Sequence, residues 1–321
     1  MKKYLLKRLG ESVIVLLLIS FFSFAVIEFA PGDIASMYIK PGMTEEQIAT
    51  VKARYKTDQS FGEKYIEWGR GMLKGDFGVS LTTKTSVIDE IGNRMPATLS
   101  LMGIALVLSV LLAIPFGLIA GYYKNRLPDR IISALNYIGM SVPQFWLGMI
   151  FIIIFAANLH WFPLSGMHAP GVHTLSDTAK HMVLPCLTLC ITNMAPYVRY
   201  VRSSTIHELE EEYVLAAKAR GSSPASILRK HVLKNSLLPV ITLVGMNIST
   251  IVSGSFVLEQ VFGWPGIGTY AISAIQGRDY PVIMAYTMIV GVVLVLGNLV
   301  ADLLYAVADP RIRQGMDVKD E

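Results

Sequence analysis

"EYVLAAKARGSSP" (Glu212–Pro224) lies midway between two apolar runs, each long enough to cross a bilayer. It holds paired alanines, one glycine and a serine-serine-proline restart, with small side chains where a lipid-facing helix would carry leucine. From Glu208 onward, apolar or small residues recur at Leu209, Tyr213, Ala216 and Ala217, the spacing of one helix face. Glu208 and Glu210–Glu212 crowd the N-terminal end, while Lys218 and Arg220 sit near the C-terminal end. That order suits the helix macrodipole, at about 0.3–1 kcal/mol per well-placed charge. Gly221 stands where a left-handed residue closes a helix. Ser223 can cap a second helix, with Pro224 at its first position, running through "ASILRKHVLKNSLL" (225–238). The pattern predicts two helices meeting at a glycine hinge outside the membrane. Alanines exposed on the first would let another backbone come close, which suits docking into a partner's groove. A solvated hairpin whose alanines merely favour helix is the plainer alternative.

Outward from this loop the chain is apolar. Its 321 residues are 53% hydrophobic and 16% charged, against about 25% charged in soluble domains. Charges are absent from Met95–Tyr123, Ile131–Ser176, His181–Val198, Asn235–Leu258 and Tyr280–Ala301, and Ser12–Ile27 is a shorter clean run. A spanning helix needs about 20 mainly apolar residues. The expectation is an all-α polytopic membrane protein with six spans, near 9–30, 97–122, 132–157, 182–203, 237–259 and 284–307. The first run, behind "MKKYLLKR", exceeds a signal-peptide core and offers no small-x-small cleavage site. It reads as a membrane helix.

Lys and Arg fall 17 on one side of these spans and 11 on the other, nine of the 11 within 31–94, where Asp and Glu also number nine. Long segments obey the positive-inside rule weakly, so both termini and the 204–236 loop are expected in the cytoplasm. The net charge of +4 reflects this bias, and nucleic acid is not implied. Four segments follow: residues 1–30 as N-terminal end and first helix, 31–95 as an extracytoplasmic segment between helices 1 and 2, 96–310 as a five-helix core carrying the 204–236 loop, and 311–321 as a cytoplasmic tail. Within the external segment, Thr44 and Gln47 form a capping-box pair predicting a helix over 45–56, and "WGRGMLKGDFGVS" (68–80) reads as glycine-punctuated loop.

Candidate chemistry is sparse. Cys186 and Cys190 lie one helical turn apart in the fourth span, as small packing residues. His160, His168, His173 and His181 have spacings that match no zinc motif, so no metal site is expected from them. Asp302 falls about one turn from the cytoplasmic end of the sixth span, where pairing with a neighbouring helix is expected. Glu28 and Glu259 sit near external span ends and could line an entrance or face the interface. Pro143, Pro185 and Gly148 could mark cavity-lining breaks, with helix packing as the default. No catalytic constellation, nucleophile elbow or H-E-x-x-H is present, nor G-x-x-x-x-G-K-[ST], nor any Gly-Lys dipeptide. If the protein pumps, the energy must arrive from another chain.

The loop resembles the coupling motif of ABC importer permeases, E-A-A-x-x-x-G followed by I-x-L-P, through Ala216, Ala217 and Gly221. It departs at Leu215 and at "HVLK" (His231–Lys234). Those departures resemble the B-type permeases of dipeptide, oligopeptide and nickel importers, which read [DE]-Y-V-x-x-A-x-A-x-G and then H-x-L-x-N-x-L-L-P. Glu212, Tyr213, Val214, Ala217, Ala219 and Gly221 match, as do His231, Leu233, Asn235 and Leu237-Leu238-Pro239. The resemblance runs along the chain through "GDFGVS" (75–80), "RMPATLSL" (94–101), "SVPQFWLG" (141–148), "FPLSG" (162–166), "VLEQVFGWPGIG" (257–268), "GRDYP" (277–281) and "ADPRIR" (308–313).

It implies a type I ABC importer permease fold of six helices in a bacterial or archaeal cytoplasmic membrane. It further implies a C-type permease partner, two cytoplasmic ATPases that bind the ATP and Mg, and an extracytoplasmic solute-binding protein. No cofactor is then held by this chain, and it is not itself an enzyme. Glu212, Tyr213, Val214, Ala216, Ala217, Arg220 and Gly221 become the ATPase-coupling residues. Glu28, Pro143, Gly148 and Glu259 remain candidates for the translocation path or its entrance. Short peptides are the expected substrate, with nickel or a metal chelate as alternative. A stand-alone secondary transporter and an intramembrane hydrolase are the rivals from other classes.

Overall fold

The computed structural model describes residues 2–29, 43–54, 59–237, 240, 243–245, 247, 251 and 255–308, with the backbone alone for 2–7, 51–54 and 301–308. Among these residues regular structure is helical. Four helices are long and apolar enough to cross a membrane: α1 (Lys2–Glu28), α4 (Val87–Tyr122), α7 (Leu175–Glu208) and α13 (Tyr280–Ala308). The predicted fifth span, 237–259, falls partly outside the described residues, and the tail beyond Ala308 and the side chain of Asp302 lie outside them.

The third span is not one rod. α5 (Leu127–Ser141) and α6 (Gln144–Phe151), which continues as a π-helical turn Ile152–Asn158, meet at 102°. Val142-Pro143 sits at the break, and the Val142 backbone is extended at φ −85°, ψ 125°, as a residue before proline prefers.

The chain divides into two compact units. One comprises Leu6–Asn93 and Ser273–Val292. Here α2 (Glu45–Arg54) opens at the predicted capping box, with the Thr44 amide donating to Gln47 Oε1 at 3.0 Å and the Gln47 amide donating to Thr44 Oγ1 at 3.3 Å. The loop expected at 68–80 is corrected over 68–73, which is helical, while 74–80 is non-helical as expected. Helix α3 (Phe61–Leu73) runs through Gly69 and Gly71, started by a second capping box of Ser60 and Glu63. Aromatic packing holds it helical: Phe61, Tyr65 and Trp68 meet Phe21 and Phe24 of α1 with ring centroids 5.5–5.8 Å apart. The two hydroxyls of Ser20 and Tyr65 bond at 2.7 Å.

In the same unit the segments "GDFGVS" and "GRDYP" meet. The buried Asp279 carboxylate accepts the Ser80 hydroxyl at 2.5 Å, the Leu81 and Thr82 amides at 3.0 and 3.1 Å, and the Thr82 hydroxyl at 2.7 Å. Burial pushes this carboxyl up, but the bonds from Ser80, Leu81 and Thr82 outweigh it and hold the group below the usual aspartate range.

The other unit contains Arg94–Ile272, where α4, α5, α6 and α7 pack with α11 (Phe256–Phe262), and α12 (Ile267–Gln276) follows. Small residues set the closest approach. A Cβ on Gly117 would stand 2.5 Å from Val201 Cβ, and one on Gly121 would stand 2.6 Å from Thr205 Cβ. The G-x-x-x-G spacing thus lets α4 lie against α7. Core side chains of this unit include Leu101, Leu189, Leu258 and Trp264. At the end of α5 nearest the 123–126 turn, buried Asp129 takes a bidentate contact from Arg202, with Nε at 2.6 Å and a terminal nitrogen at 2.8 Å.

Candidate functional site

The 208–236 loop folds as a compact knuckle. After α7 ends at Glu208, α8 (Glu212–Ala219) forms and closes on Gly221 at φ +77°. The Gly221 amide donates to Lys218 O at 2.9 Å and the Ser222 amide to Ala217 O at 3.1 Å, the paired bonds of a Schellman motif. Nothing lies within 4 Å of where a Gly221 Cβ would be, so the residue serves backbone conformation and not space. Ser223 then caps α9 (Pro224–Ile227) by accepting from the Ser226 amide at 3.4 Å. The second helix continues through a π-helical turn (Leu228–Val232) into α10 (Leu233–Ser236).

Two devices hold the knuckle. The first is apolar: Val214 and Ala217 of α8 pack with Ile227 and Val232, all four buried. The second is a polar clasp. The Tyr213 hydroxyl donates to Glu208 Oε2, while Asn235 Nδ2 donates to Glu208 at 2.9 Å and to the Tyr213 oxygen at 3.0 Å. Burial and then the neighbouring Glu208 carboxylate push the Tyr213 phenol up to about 12, so it stays a donor at any physiological pH. Tyr213 and Asn235, which carry the sequence pattern, therefore meet across 22 residues.

The expected docking face divides. Ala217 turns inward with Val214, while Glu212, Leu215, Ala216, Ala219 and Arg220 are exposed alongside the partly exposed Tyr213. Leu215, where the general coupling motif has glutamate, is 51% exposed on this outer face. The periodicity from Leu209 did not reveal this division, because Glu208 and Leu209 belong to the end of α7 and its turn, out of phase with α8.

Each of the four path candidates makes its own local contacts. Glu28 is paired with Lys64. Pro143 caps α6 at the bend, and Gly148 is a buried helix contact where an added Cβ would stand 3.0 Å from Phe262. Glu259 is fully enclosed: its carboxylate accepts the Thr98 hydroxyl at 2.8 Å and the Thr269 amide at 3.1 Å. The turn "GWPGIG" wraps this carboxylate so closely that a Cβ on Gly266 would collide with Thr98 Oγ1 and stand 2.5 Å from Glu259 Cδ. Of the histidines, His168 and His181 each approach Asp177 at 3.5 Å. Among the described residues no three metal-ligating side chains converge.

A cavity of about 570 Å³ opens among α4, α6, α7 and the start of α11. Leu106, Leu189 and Phe145 supply apolar wall, and Gln144, Thr192, Asn193, Tyr197, Asn247 and Ser255 supply polar groups. Gln144 Nε2 donates to Asn193 Oδ1 at 3.3 Å, and Asn247 Nδ2 to the Tyr197 oxygen at 3.1 Å. Sequence reading missed these residues. Their signal was amides inside charge-free spans, which hydropathy alone does not separate from packing residues.

Comparison with known proteins agrees with this architecture. Residues 113–314 match the family model "Binding-protein-dependent transport system inner membrane component", and residues 1–102 match its N-terminal companion. The chain is 37% identical over 314 residues, 97% of its length and 99% of the other's, to the oligopeptide transport system permease protein AppB of Bacillus subtilis. It is 34% identical over 313 residues, 98% of its length and 99% of the other's, to the glutathione transport system permease protein GsiC of Escherichia coli K12. Its fold is similar to a chain of the MetNI methionine ABC transporter solved in inward facing conformations, with a TM-score of 0.56 and 16% identity over 69% of this chain and 97% of that one. The chain belongs to the family of binding-protein-dependent transport system inner membrane components.

Proposed function

We propose that the chain is the membrane permease subunit of an ATP-driven importer of short peptides, coupled to its ATPases through α8 and Gly221. The observation that carries this reading is the knuckle. It is internally satisfied by a Schellman turn, a buried apolar cluster and a three-residue clasp, yet it presents Leu215, Ala216 and Ala219 outward. A rigid element with an apolar outer face suits transmission of force from a neighbour, through contacts that differ between that neighbour's states. The charge bias supports a cytoplasmic position for this loop and both termini. ATP and Mg are then bound by the ATPase subunits, and a C-type permease completes the transmembrane pair. The names of the peptide and glutathione permeases described above favour peptides over nickel.

The test is a cysteine cross-link. Cys186 and Cys190 are buried, so Leu215→Cys offers one reactive thiol on the knuckle. In the assembled complex it is expected to cross-link to an ATPase subunit, with a yield that changes between nucleotide-free and ATP-trapped states. Complete labelling of the introduced thiol by a water-soluble maleimide in the full complex, with no cross-link in either state, would refute the coupling role. Ion-driven uptake by this chain alone in vesicles would favour the secondary transporter, and ATP-driven nickel uptake without peptide uptake would favour the metal importer.

A further inference from the structure

The cavity bounded by α4, α6, α7 and the start of α11 combines volume with neutral hydrogen-bonding groups. Its 570 Å³ or so falls within the range of about 300–1,000 Å³ usual for ligand pockets. Among the described residues lining it there is no Asp, Glu, Lys, Arg or His. Three carboxamides are present instead, Gln144 on α6, Asn193 on α7, and Asn247. A carboxamide carries both a donor and an acceptor, the same pair that a peptide bond presents.

Resting on the importer reading above, we infer that Gln144 and Asn193 bind the amide backbone of a passing peptide, making the chamber indifferent to charge on the peptide's side chains. Leaving a peptide group unpaired in such a site is unfavourable, and the carboxamides remove that cost for every peptide alike. The Gln144–Asn193 bond is long at 3.3 Å, and the Asn193 amide nitrogen has no partner among the described residues. Both groups can therefore turn to a substrate without breaking a strong internal contact. A fixed charge would act differently. It would hold peptides of opposite charge and repel those of like charge, whereas a path must bind weakly enough to release.

The test uses the full complex with its ATPases and binding protein in proteoliposomes. Uptake is measured for tripeptides of equal length whose central side chain is lysine, glutamine or glutamate. Each variant is expressed relative to wild type, peptide by peptide, so that the preference of the binding protein cancels. Asn193→Asp, a near-isosteric change, is expected to raise the lysine-to-glutamate uptake ratio about fivefold or more. Gln144→Glu, on a different helix, should move the ratio the same way, and Gln144→Lys should invert it. Co-purification with the ATPases verifies assembly, and whichever variants assemble decide the result. Wild-type peptide uptake with an unchanged ratio in the assembled variants overturns the inference and leaves the importer reading intact. A wild-type complex that takes up none of the three peptides overturns the importer reading and the inference with it.

Discussion

Two glycine-bearing turns in the same unit use glycine for opposite reasons. At the knuckle, Gly221 has open space around it and a φ of +77°, so its role is conformational. In the "GWPGIG" turn, Gly266 meets a hydroxyl and a carboxylate within 2.5 Å of where a Cβ would stand, so its role is space. The knuckle buries Val214 and Ala217 and turns an apolar face outward, while the other turn folds inward on the fully buried Glu259. The first leaves apolar side chains exposed, and the second holds the bundle's own helices together.

Three substitutions sharpen or break that contrast. The largest effect is expected for Gly266→Ala. Its new methyl collides with Thr98 and Glu259, and overpacking in a closed site costs about 1–3 kcal/mol. The expected outcome is a lower thermal midpoint and poor accumulation of purified protein, measured by fluorescence-detected size exclusion on heating. Tolerance of Gly266→Ala without loss of stability would mean the carboxylate turn is looser than described.

Next comes Gly221→Val. A β-branched residue in the left-handed region costs roughly 1–2 kcal/mol. The open space adds no clash to that strain, and the hinge is expected to distort enough that ATP-driven uptake falls about tenfold or more. Gly221→Asn should keep most of the uptake, because asparagine tolerates that conformation. Equal losses from valine and asparagine would show that space, and not φ, is the constraint.

The smallest effect is expected for Tyr213→Phe. It removes one donor to Glu208 while Asn235 remains, so the loss is about 1 kcal/mol. Because the phenol is pushed up to about 12, wild type and variant should differ by the same amount throughout pH 6–9. A difference that varied across that range would place a titrating group in the clasp.

Much of this architecture was legible in the residues. Charge-free runs located four spanning helices and the bent third span, since a charged group at mid-membrane is costly. Thr44, Gln47, Gly221, Ser223 and Pro224 announced their caps, because capping rests on local hydrogen bonds. The rest depended on packing between distant segments. Glycines at 69 and 71 suggested a loop, but aromatic contacts with α1 keep that stretch helical. Glu259 could be read as lining an entrance or facing the interface because nothing local reveals that Thr98, 161 positions earlier, encloses it. The bend at Pro143 was suspected, but its 102° angle and the amide-lined cavity exist only in the folded chain.

The Asp279 clasp sets an order of events during synthesis. Ser80 and Asp279 are 199 positions apart, and ribosomes add about 5–20 residues per second. The loop at 80–82 therefore waits roughly 10–40 seconds after it is made before its acceptor exists. Until then its two amides and two hydroxyls rely on water, so this stretch is settled only when the last helix is threaded into the membrane.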